Sequence, residues 1–481
     1  MSSPDIPEDQ AGQNASLAWL AEKGLHYGGP ELASWVPPRP GTDWDVAIIG
    51  GGQSGQAIAF GLRRAGIARI TILEAESRER TGLWRTRARM DVLRTPKELP
   101  GPELEIGSVS FRAWFEATRG EDAYTALEKI PRLVWAEYLD WFQEVTKPPL
   151  RYGARVTKVQ GAGDALDLHI TEGGATRVER TRKLVLASGI AGAGAPSIPE
   201  VLTSLPKTLY AHSHERIDFA RLDGLSVAVL GAGSSAFDAA IEALRAGARE
   251  AHMFSRRADL SRHFPSGLRK VPAAVQSFNQ LPDADRWFVA KRLRSVGAPP
   301  PIESVVKAAA FPNFKLHFNA PWKRAEERNG RVAAQIGDLW REFDFVVAGT
   351  GYVADVGARE ELRDIAPLVA RWGDRYQPPE AEADAVLARY PYLGPGYQLL
   401  EREPGSAPFV PNIHVYNVAA QLSFGLPVGD IPSLRRGVPR LVEAIGRELF
   451  FADYALHRET IHGAPTPAFE REPYLSAIAE E

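Results

Sequence analysis

Three glycines, Gly50, Gly52 and Gly55, stand at the spacing GxGxxG directly after a short uncharged run rich in β-branched residues. A turn of this kind lets a phosphate approach the backbone, because the second glycine has no side chain to hold it away. The helix that follows directs the positive end of its dipole at the same point. This stretch therefore predicts binding of a dinucleotide pyrophosphate, the alternative being a glycine-rich turn without a nucleotide.

The glycine turn lies between two predicted strands. Val46 to Ile49 suits a strand that is buried on both faces, and Arg69 to Leu73 suits a second one. Between them, Gln56 to Ala65 is typical of a helix, which Gly66 ends. Glu74 closes the second strand, where a carboxylate accepts hydrogen bonds from a ribose. Strand, glycines, helix, strand and acid together predict a Rossmann-type unit.

A second copy of this pattern occurs further along the chain. Ser226 to Leu230 is a predicted strand, Phe237 to Ala246 a helix, and Ala251 to Ser255 another strand. The turn between them fits GxGxxA and consists of Gly231, Ala232, Gly233, Ser234, Ser235 and Ala236. The sequence therefore contains two nucleotide-binding units.

The two units differ at the strand end that contacts the ribose. Glu74 repels a 2′-phosphate and accepts from a 2′-hydroxyl, so the first unit suits FAD or NAD. Ser255, Arg256 and Arg257 would bind a 2′-phosphate by charge and fork geometry, so the second unit suits NADP. The alternative for the two arginines is a solvated strand end.

Composition narrows the class of protein. The 481 residues exceed one typical domain, and the formal charge of −3 gives no indication of a nucleic-acid or membrane-surface partner. Cysteine is absent, which excludes disulfides, thiolate metal sites and a redox-active dithiol. No apolar run approaches the ~18 residues that span a bilayer, and the N-terminus does not resemble a secretory signal. We therefore expect a cytoplasmic protein.

The order of these elements predicts an α/β fold of two Rossmann-like dinucleotide-binding domains, an FAD domain with an NADPH domain inserted in it. The predicted divisions are a leader and linker at 1–43, the FAD-binding domain at 44–192 and 344–455, the NADPH-binding domain at 193–343, and a tail at 456–481. A helical insertion is expected near 259–321. Further predicted elements are helices at 15–23, 133–146 and 432–451, a hairpin at 152–171, and strands at 184–189 and 412–416.

Short motifs spread over most of the chain resemble the class B flavoprotein monooxygenases, meaning flavin-containing monooxygenases and the N-hydroxylating enzymes that act on amines. The motifs are Gly50 to Gly55, Gly82-Leu-Trp84, Thr95-Pro-Lys-Glu98, Ala187-Ser-Gly189, Gly231 to Ala236 and Gly349-Thr-Gly-Tyr352. The resemblance implies bound FAD, NADPH as reductant, and a C4a-hydroperoxyflavin that gives one oxygen atom of O2 to a small nucleophilic substrate.

The resemblance also implies roles for particular residues. Those that would hold FAD are Gly50, Gly52, Gln53, Ser54, Gly55, Glu74, Leu83, Trp84, Arg85 and Val156. Those that would hold NADPH or join the two sites are Gly231, Gly233, Ser234, Ser235, Ala236, Ser255, Arg256, Arg257, Thr350, Gly351 and Tyr352. No metal site is expected. Tyr352 could also serve packing alone.

Two departures from the family bear on chemistry. Where the family has Asn-Leu-Pro-Lys-Glu near the flavin, this chain has Arg94-Thr-Pro-Lys-Glu98. We predict catalytic roles for Arg94 and Lys97, with the charge of Arg94 stabilising a peroxyflavin anion. The alternative is that Arg94 turns away and pairs with an acid. Of the fingerprint FxGxxxHxxxY only His212 is present, either in the family role or as a hydrogen-bonded linker histidine.

The function predicted from the sequence is an FAD-dependent, NADPH-consuming monooxygenase that N-hydroxylates an amine. S-oxygenation, Baeyer–Villiger oxidation, and an NADPH oxidase or dehydrogenase without oxygen transfer stay open, as does a non-enzymatic nucleotide sensor. The absence of cysteine excludes a disulfide reductase of the same build. The expected partners are a small-molecule substrate and O2, and a homo-oligomer is a further expectation.

Overall fold

The computed structural model describes residues 8–28, 31–264, 266–470 and 472–478. Parts of the predicted leader (1–43) and tail (456–481) lie outside these residues. The strands, in chain order, are β1 Trp44–Ile49, β2 Ile70–Glu74, β3 Leu150–Tyr152, β4 Arg155–Ala162, β5 Ala165–Glu172, β6 Ala175–Leu186, β7 Gly194–Pro196, β8 Tyr210–His212, β9 Ser226–Leu230, β10 Glu250–Phe254, β11 Phe314–His317, β12 Trp322–Arg328, β13 Arg331–Ile336, β14 Leu339–Phe343, β15 Phe345–Ala348, β16 Tyr352–Ala354 and β17 Ile413–Val415.

The helices connect these strands and cover the sheets. In chain order they are α1 Glu8–Tyr27, α2 Gln53–Arg64, α3 Phe111–Arg119, α4 Glu121–Ala126, α5 Arg132–Thr146, α6 Glu200–Thr203, α7 Ser234–Arg245, α8 Pro272–Ser277, α9 Asp283–Val296, α10 Ile302–Ala309, α11 Trp372–Arg375, α12 Gln421–Phe424, α13 Ile431–Ala452 and α14 Tyr454–His462. Both helices that follow a glycine turn, α2 and α7, begin directly after the middle glycine, earlier than predicted.

The first sheet has the strand order β3-β2-β1-β6-β5-β4, and β17 also pairs with β6. β1 is parallel to β2 and to the C-terminal half of β6, while the N-terminal half of β6 is antiparallel to β5. β6 is longer than the predicted strand at 184–189. The prediction missed its first half because that half carries charged side chains, such as Arg177 and Glu179, at exposed or half-buried positions. A strand with one solvated face lacks the continuous apolar run that is typical of a strand buried on both faces.

The second sheet is parallel throughout, with the order β11-β10-β9-β15-β8. β11 lies inside 193–343, as predicted for this unit, but in the part at 259–321 that was expected to be a helical insertion. β15 lies at the start of 344–455, the range that was predicted for the first unit. Both are short strands that complete the sheet around β9 and β10, so the sheets divide the chain after residue 348 and not at 344.

The two sheets are joined where β7 and β16 pair with each other in antiparallel fashion. The backbone N–H of Ser197 also donates to the carbonyl of Gly351 over 2.9 Å. β7 carries the chain out of the first unit and β16 carries it back. The stretch 190–199, rich in Gly, Ala and Pro, contains β7 and forms the crossing between the units.

The helices between β10 and β11 do not form a body of their own. α10 packs on α7 through Ala308, which is buried in the core of the second unit. α9 instead inserts Trp287 against Trp372, in a small apolar cluster that includes Leu387 and Leu422 from the returning chain. The insertion thus connects the second unit to the last part of the first.

The two glycine turns are built alike, because in each the first glycine lies against the backbone carbonyl of a residue at a strand end. A Cβ on Gly50 would lie 2.6 Å from the carbonyl oxygen of Ala187, and a Cβ on Gly231 would lie 2.3 Å from that of Gly349. In the second copy the helix residue is Ala236, and a Cβ on Gly349 would lie 2.6 Å from its methyl group. Gly349 is therefore required because Ala236 already fills the space.

We expect Gly349→Ala to lower the stability of the protein by about 1–3 kcal/mol through overpacking. Ala236→Gly alone should cost about 1 kcal/mol, as glycine does in a helix. Because removal of the methyl group relieves much of the clash, the double variant should lose less stability than the sum of the two. Thermal unfolding of the four proteins measures this coupling.

Gly107→Ala is the control for that experiment, since its Cβ would meet no atom within 4 Å. Additive losses in the double variant, or a Gly349→Ala protein that unfolds at the wild-type temperature, would contradict the proposed contact.

Candidate cofactor and active site

The first glycine turn separates into packing positions and one open position. A Cβ on Gly55 would lie 1.9 Å from the carbonyl oxygen of Gly50, and Gly50 itself has a φ of +111°. These two positions require glycine for the backbone alone. A Cβ on Gly52 would meet nothing closer than the Cα of Gly82, at 3.9 Å. Since no protein atom requires glycine at position 52, the space above it fits a pyrophosphate that lies between the two loops.

Polar groups surround this open position. One oxygen of Glu74 accepts from the N–H of Gly51 over 2.8 Å, which places the carboxylate at the mouth of the turn. The Gln53 amide donates to the carbonyl of Gly429 over 3.2 Å, and the Ser54 hydroxyl donates to the same oxygen over 3.4 Å. The predicted FAD residues 50–55 and 74 therefore lie together and face the start of α13.

The start of α13 is a part of the site that sequence reasoning missed. The Asp430 side chain caps the helix by accepting from the N–H of Ser433 over 3.0 Å. Burial raises the pKa of Asp430, against the opposing charge of Arg269. The predicted helix at 432–451 located this end to within one residue, and the acid before Ile-Pro-Ser is the signal for it. What the sequence did not indicate is that this end lies against the first glycine turn.

The other predicted FAD residues lie around the same opening. Leu83 and Trp84 are half-buried, and Trp84 packs on the aromatic cluster of α3 and α5. Arg85 forms an ion pair with Asp140 over 2.6 Å, so its charge is directed to α5. Val156 lies in β4, next to the end of β2, because the N–H of Ala154 donates to the carbonyl of Glu74.

The second glycine turn repeats the logic of the first. Gly231 has a φ of +111°, and no atom lies within 4 Å of the position that a Cβ on Gly233 would take. Ser234 and Ser235 follow as the first residues of α7, where backbone N–H groups lack partners within the helix. No protein atom requires glycine at position 233, so the middle glycine again leaves space for an anion.

The strand end after β10 treats its two arginines differently. Arg257 donates to the carbonyls of Val296 and, over 3.2 Å, Arg294, so it caps the C-terminus of α9. Arg256 is exposed and makes no side-chain hydrogen bond or ion pair with the described residues. Ser255 is buried, and its hydroxyl accepts from the N–H of Arg257. Only Arg256 is therefore free to meet a 2′-phosphate.

The returning chain brings Tyr352 against two histidines. Its ring is edge-on to His212 and to His214, at centroid distances of 5.5 and 5.7 Å, and its hydroxyl lies 3.3 Å from Nδ1 of His214. Thr350 donates through its hydroxyl to the carbonyl of Ser197. Thr350 and Gly351 thus belong to the joint between the sheets, and Tyr352 faces the end of β8.

Arg94 pairs with an acid, which is the alternative that the sequence left open. Its guanidinium lies 2.6 Å from Asp238 of α7, whose side chain is 7% exposed. Ser304 donates to the second carboxylate oxygen of Asp238 over 3.2 Å. Burial raises the pKa of Asp238, and the charge of Arg94 opposes this shift. The predicted cation is therefore fixed from the second unit.

Lys97 lies apart from the cofactor positions. Its ammonium group donates to the carbonyls of Tyr124 and Thr125 over 2.6 and 3.3 Å and lies 4.5 Å from the centre of the Tyr124 ring. These contacts hold Lys97 at the end of α4. The structure gives its predicted catalytic role no support.

Three further ion pairs accompany that of Arg94 across the boundary between the units. Asp91 pairs with Arg245 of α7 over 2.8 Å and also with Lys307 of α10, while Lys129 pairs with Glu303 of α10. One face of α7 and one face of α10 therefore meet the first unit through charge.

Two negative observations concern the described residues only. Within 8–28, 31–264, 266–470 and 472–478, no helix combines the length and apolar character that a bilayer crossing requires. The same part of the chain places no three or more His, Asp or Glu side chains together for a metal ion.

A glycine turn closed by an acid and a second one closed by an arginine, on two joined sheets, define a protein with two dinucleotide-binding units. The chain belongs to the family of the FAD-dependent urate hydroxylase of Xanthomonas campestris pv. campestris, with which it shares 37% identity over 435 residues, 89% of this chain and 91% of that protein. The predicted resemblance to the class B flavoprotein monooxygenases, the fold class and the cofactors FAD and NADPH are confirmed.

Other comparisons agree in fold. The L-lysine 6-monooxygenase/L-ornithine 5-monooxygenase family model matches residues 123–299, and an FAD-NAD(P)-binding model matches residues 47–191. Ornithine hydroxylase from Pseudomonas aeruginosa superposes with a TM-score of 0.65 at 18% identity, over 84% of this chain and 99% of that one. L-lysine 6-monooxygenase from Pseudomonas syringae does so with a TM-score of 0.65 at 21% identity, over the same shares.

We expect the preference for NADPH over NADH to depend on Arg256 and not on Arg257. A charge-assisted contact to the 2′-phosphate is worth roughly 1.5–3 kcal/mol, so Arg256→Ala should lose about tenfold or more of the preference. Arg257→Ala should keep the preference and unfold at a lower temperature, because it uncaps α9. Flavin reduction rates with both nucleotides measure the ratio. The reverse pattern would show that Arg257 leaves α9 to bind the phosphate.

Proposed function

We propose that this enzyme transfers one oxygen atom of O2 to the nitrogen of a small amine and consumes NADPH. The observation that carries the proposal is the match to the lysine/ornithine monooxygenase family model over residues 123–299. That range contains α5, the β4-β5-β6 meander, the second glycine turn and most of the insertion. It thus includes elements of both units.

Residues of the first unit would hold FAD, and residues of the second unit would hold NADPH. Gly52, Gln53, Ser54 and Glu74 surround the space in which the FAD pyrophosphate and ribose would lie. Bound FAD supplies the oxygen-transfer chemistry. Gly233, the start of α7 and Arg256 would hold NADPH, since a dinucleotide crosses a Rossmann sheet at the carboxyl ends of its strands. Tyr352, with His212 and His214 beside it, lies at the end of β8, where the reactive parts of the two cofactors would meet.

A second candidate is hydroxylation of a purine-type ring. It is favoured by the 37% identity to the urate hydroxylase, which extends over 89% of the chain. The two candidates share cofactors and differ in the atom that receives oxygen. S-oxygenation, Baeyer–Villiger oxidation and plain NADPH oxidation have no observation of this kind in their favour.

The experiment is a coupling measurement on the purified holoenzyme. NADPH consumption, hydrogen peroxide release and oxygenated product are followed with lysine, ornithine, cadaverine and urate, and with a sulfide and a ketone as controls. Amine N-hydroxylation predicts that one amine lowers the peroxide released per NADPH and gives a hydroxylamine. Product from urate alone would establish the second candidate, and one peroxide per NADPH with every compound would identify an oxidase.

We further propose that Arg94, held by Asp238, keeps oxygen transfer coupled to NADPH use. A cation that Asp238 holds in place would stabilise negative charge that develops beside it. Arg94→Met should raise the peroxide released per NADPH several-fold with FAD content unchanged, whereas Arg94→Lys, which keeps the charge, should stay close to wild type. Asp91→Asn breaks the neighbouring ion pair and controls for loosening of the two units. Full coupling in Arg94→Met would show that the pair is structural only.

A homo-oligomer and a cytoplasmic location are also proposals. Large apolar side chains near the end of the chain support self-association, because they are exposed in the single chain. They are Phe451, Leu456, Ile461, Phe469 and Leu475, each at least half exposed. Sedimentation of the holoenzyme tests the first proposal, and fractionation of cells tests the second.

A further inference from the structure

The region around the ends of β8 and β15 contains side chains to which the proposed function assigns no contact with the substrate. In the second sheet β9 is central, with β10 on one side and β15 and β8 on the other. Arg256 follows β10, so the adenosine end of a dinucleotide would lie on that side. The nicotinamide end would then lie over β15 and β8, where His214 and Tyr352 are found. The reacting atoms would therefore lie beside these two residues.

His214 and Tyr352 present a hydrogen-bond donor at this place. Burial lowers the pKa of His214 to about 4, with a further contribution from the charge of Arg87, so the imidazole is neutral at pH 7. Burial raises the pKa of Tyr352, so its phenol stays protonated. The 3.3 Å contact between the Tyr352 hydroxyl and Nδ1 uses one of the two protons of this pair, so the pair offers one free donor: Nε2–H of His214 where the phenol donates, or the phenol where the imidazole donates.

Arg87 adds a charge that has no partner within the described residues. Its side chain is half-buried and forms no hydrogen bond or ion pair there. The neighbouring arginines are engaged: Arg85 pairs with Asp140, and Arg89 donates to the carbonyls of Ser213 and Glu215. Arg89 thus holds the loop that carries His214, while the charge of Arg87 remains available.

The acid nearest in sequence does not neutralise this group. One carboxylate oxygen of Glu215 accepts from the backbone N–H of His212 over 2.8 Å, and its side chain is 44% exposed. The charge of Glu215 affects the pKa of His214 less than the charge of Arg87 does. Arg89 brings the segment that carries Arg87 to the loop of His214, so a cation without a partner among the described residues and one neutral donor lie in the same half-buried region. Such a set is complementary to an anion and repels an ammonium group.

We propose that Arg87, His214 and Tyr352 form a subsite for an anionic oxygen of the substrate. The proposal rests on the proposed function and narrows it. An amine substrate must then carry a carboxylate at a distance from the nitrogen that is oxygenated, and a ring substrate must be an acidic heterocycle that binds as its anion. A phosphate of NADPH offers the same chemistry, so the test must separate the two sources.

The test compares matched ligands by the change in flavin absorbance of the oxidised holoenzyme. Lysine is compared with cadaverine, which lacks the carboxylate, and urate with hypoxanthine, which is neutral at pH 7. In wild type at least one anionic member should bind about tenfold or more tightly than its neutral or decarboxylated counterpart, the scale of one charge-assisted contact. Arg87→Met should abolish that difference, and His214→Phe should reduce it.

Arg80→Met is the matched control, because Arg80 lies in the same segment and forms an exposed ion pair with Glu76. It should bind every ligand as wild type does. FAD content and unfolding temperature show whether each variant is intact. The dissociation constant of NADP+ and the rate of flavin reduction by NADPH should change less than threefold in Arg87→Met.

Three results would overturn the proposal. The first is a wild type that binds neither anionic ligand at millimolar concentration, and the second is an Arg87→Met variant that keeps the preference. The third is a tenfold weaker binding of NADP+ in Arg87→Met with unchanged substrate preference, which would assign the anion to the cofactor. Since titration needs no turnover, failure of the proposed oxygenation would appear separately, as NADPH consumption without oxygenated product.

Discussion

The short antiparallel pairing of β7 with β16 sets the relation between the two nucleotide units. It allows no side chain at Gly194, where a Cβ would lie 2.1 Å from the carbonyl oxygen of Val353. Ser197 adds a backbone bond to Gly351 and receives the hydroxyl of Thr350. Because the outgoing and returning segments are fixed to each other here, the end of β8, Tyr352 and the segment after Gly82 come to one place.

Charge maintains this arrangement away from the joint. Arg94 with Asp238, Asp91 with Arg245 and Lys129 with Glu303 connect the first unit to α7 and α10. Most of these groups are partly exposed, so each such pair contributes little to stability and is screened by salt. Asp238 is the exception, since a buried carboxylate without its partner is costly. The stability of the contact between the units therefore depends strongly on the pair of Arg94 with Asp238 and only weakly on the other pairs.

Local pattern was enough to predict much of this structure. The glycine turns with their flanking strands and helices follow from spacing and burial within about 30 residues, and Gly52 and Gly233 are open positions as the spacing implies. What could not be predicted depends on distant contacts. Arg94 and Asp238 are 144 residues apart, and no local pattern connects them. The capture of Arg257 by the C-terminus of α9 is similar, because strand ends give no sign of which helix will dock beside them.

The two turns also differ in which residue carries a methyl group, the one at the strand end or the one on the helix. Ala187 and Gly349 both follow a strand and both donate to the last residue of the central strand, Ile49 or Leu230. The first copy has alanine at the strand end and Gly55 on the helix, and the second has glycine at the strand end and Ala236 on the helix. A recombination event that exchanged one helix between the copies would put a methyl group at position 55, 1.9 Å from the carbonyl oxygen of Gly50, and would leave none beside Gly349. The two halves of the gene are thus free to diverge but not to be shuffled, and their likeness in shape conceals an incompatibility one carbon atom in size.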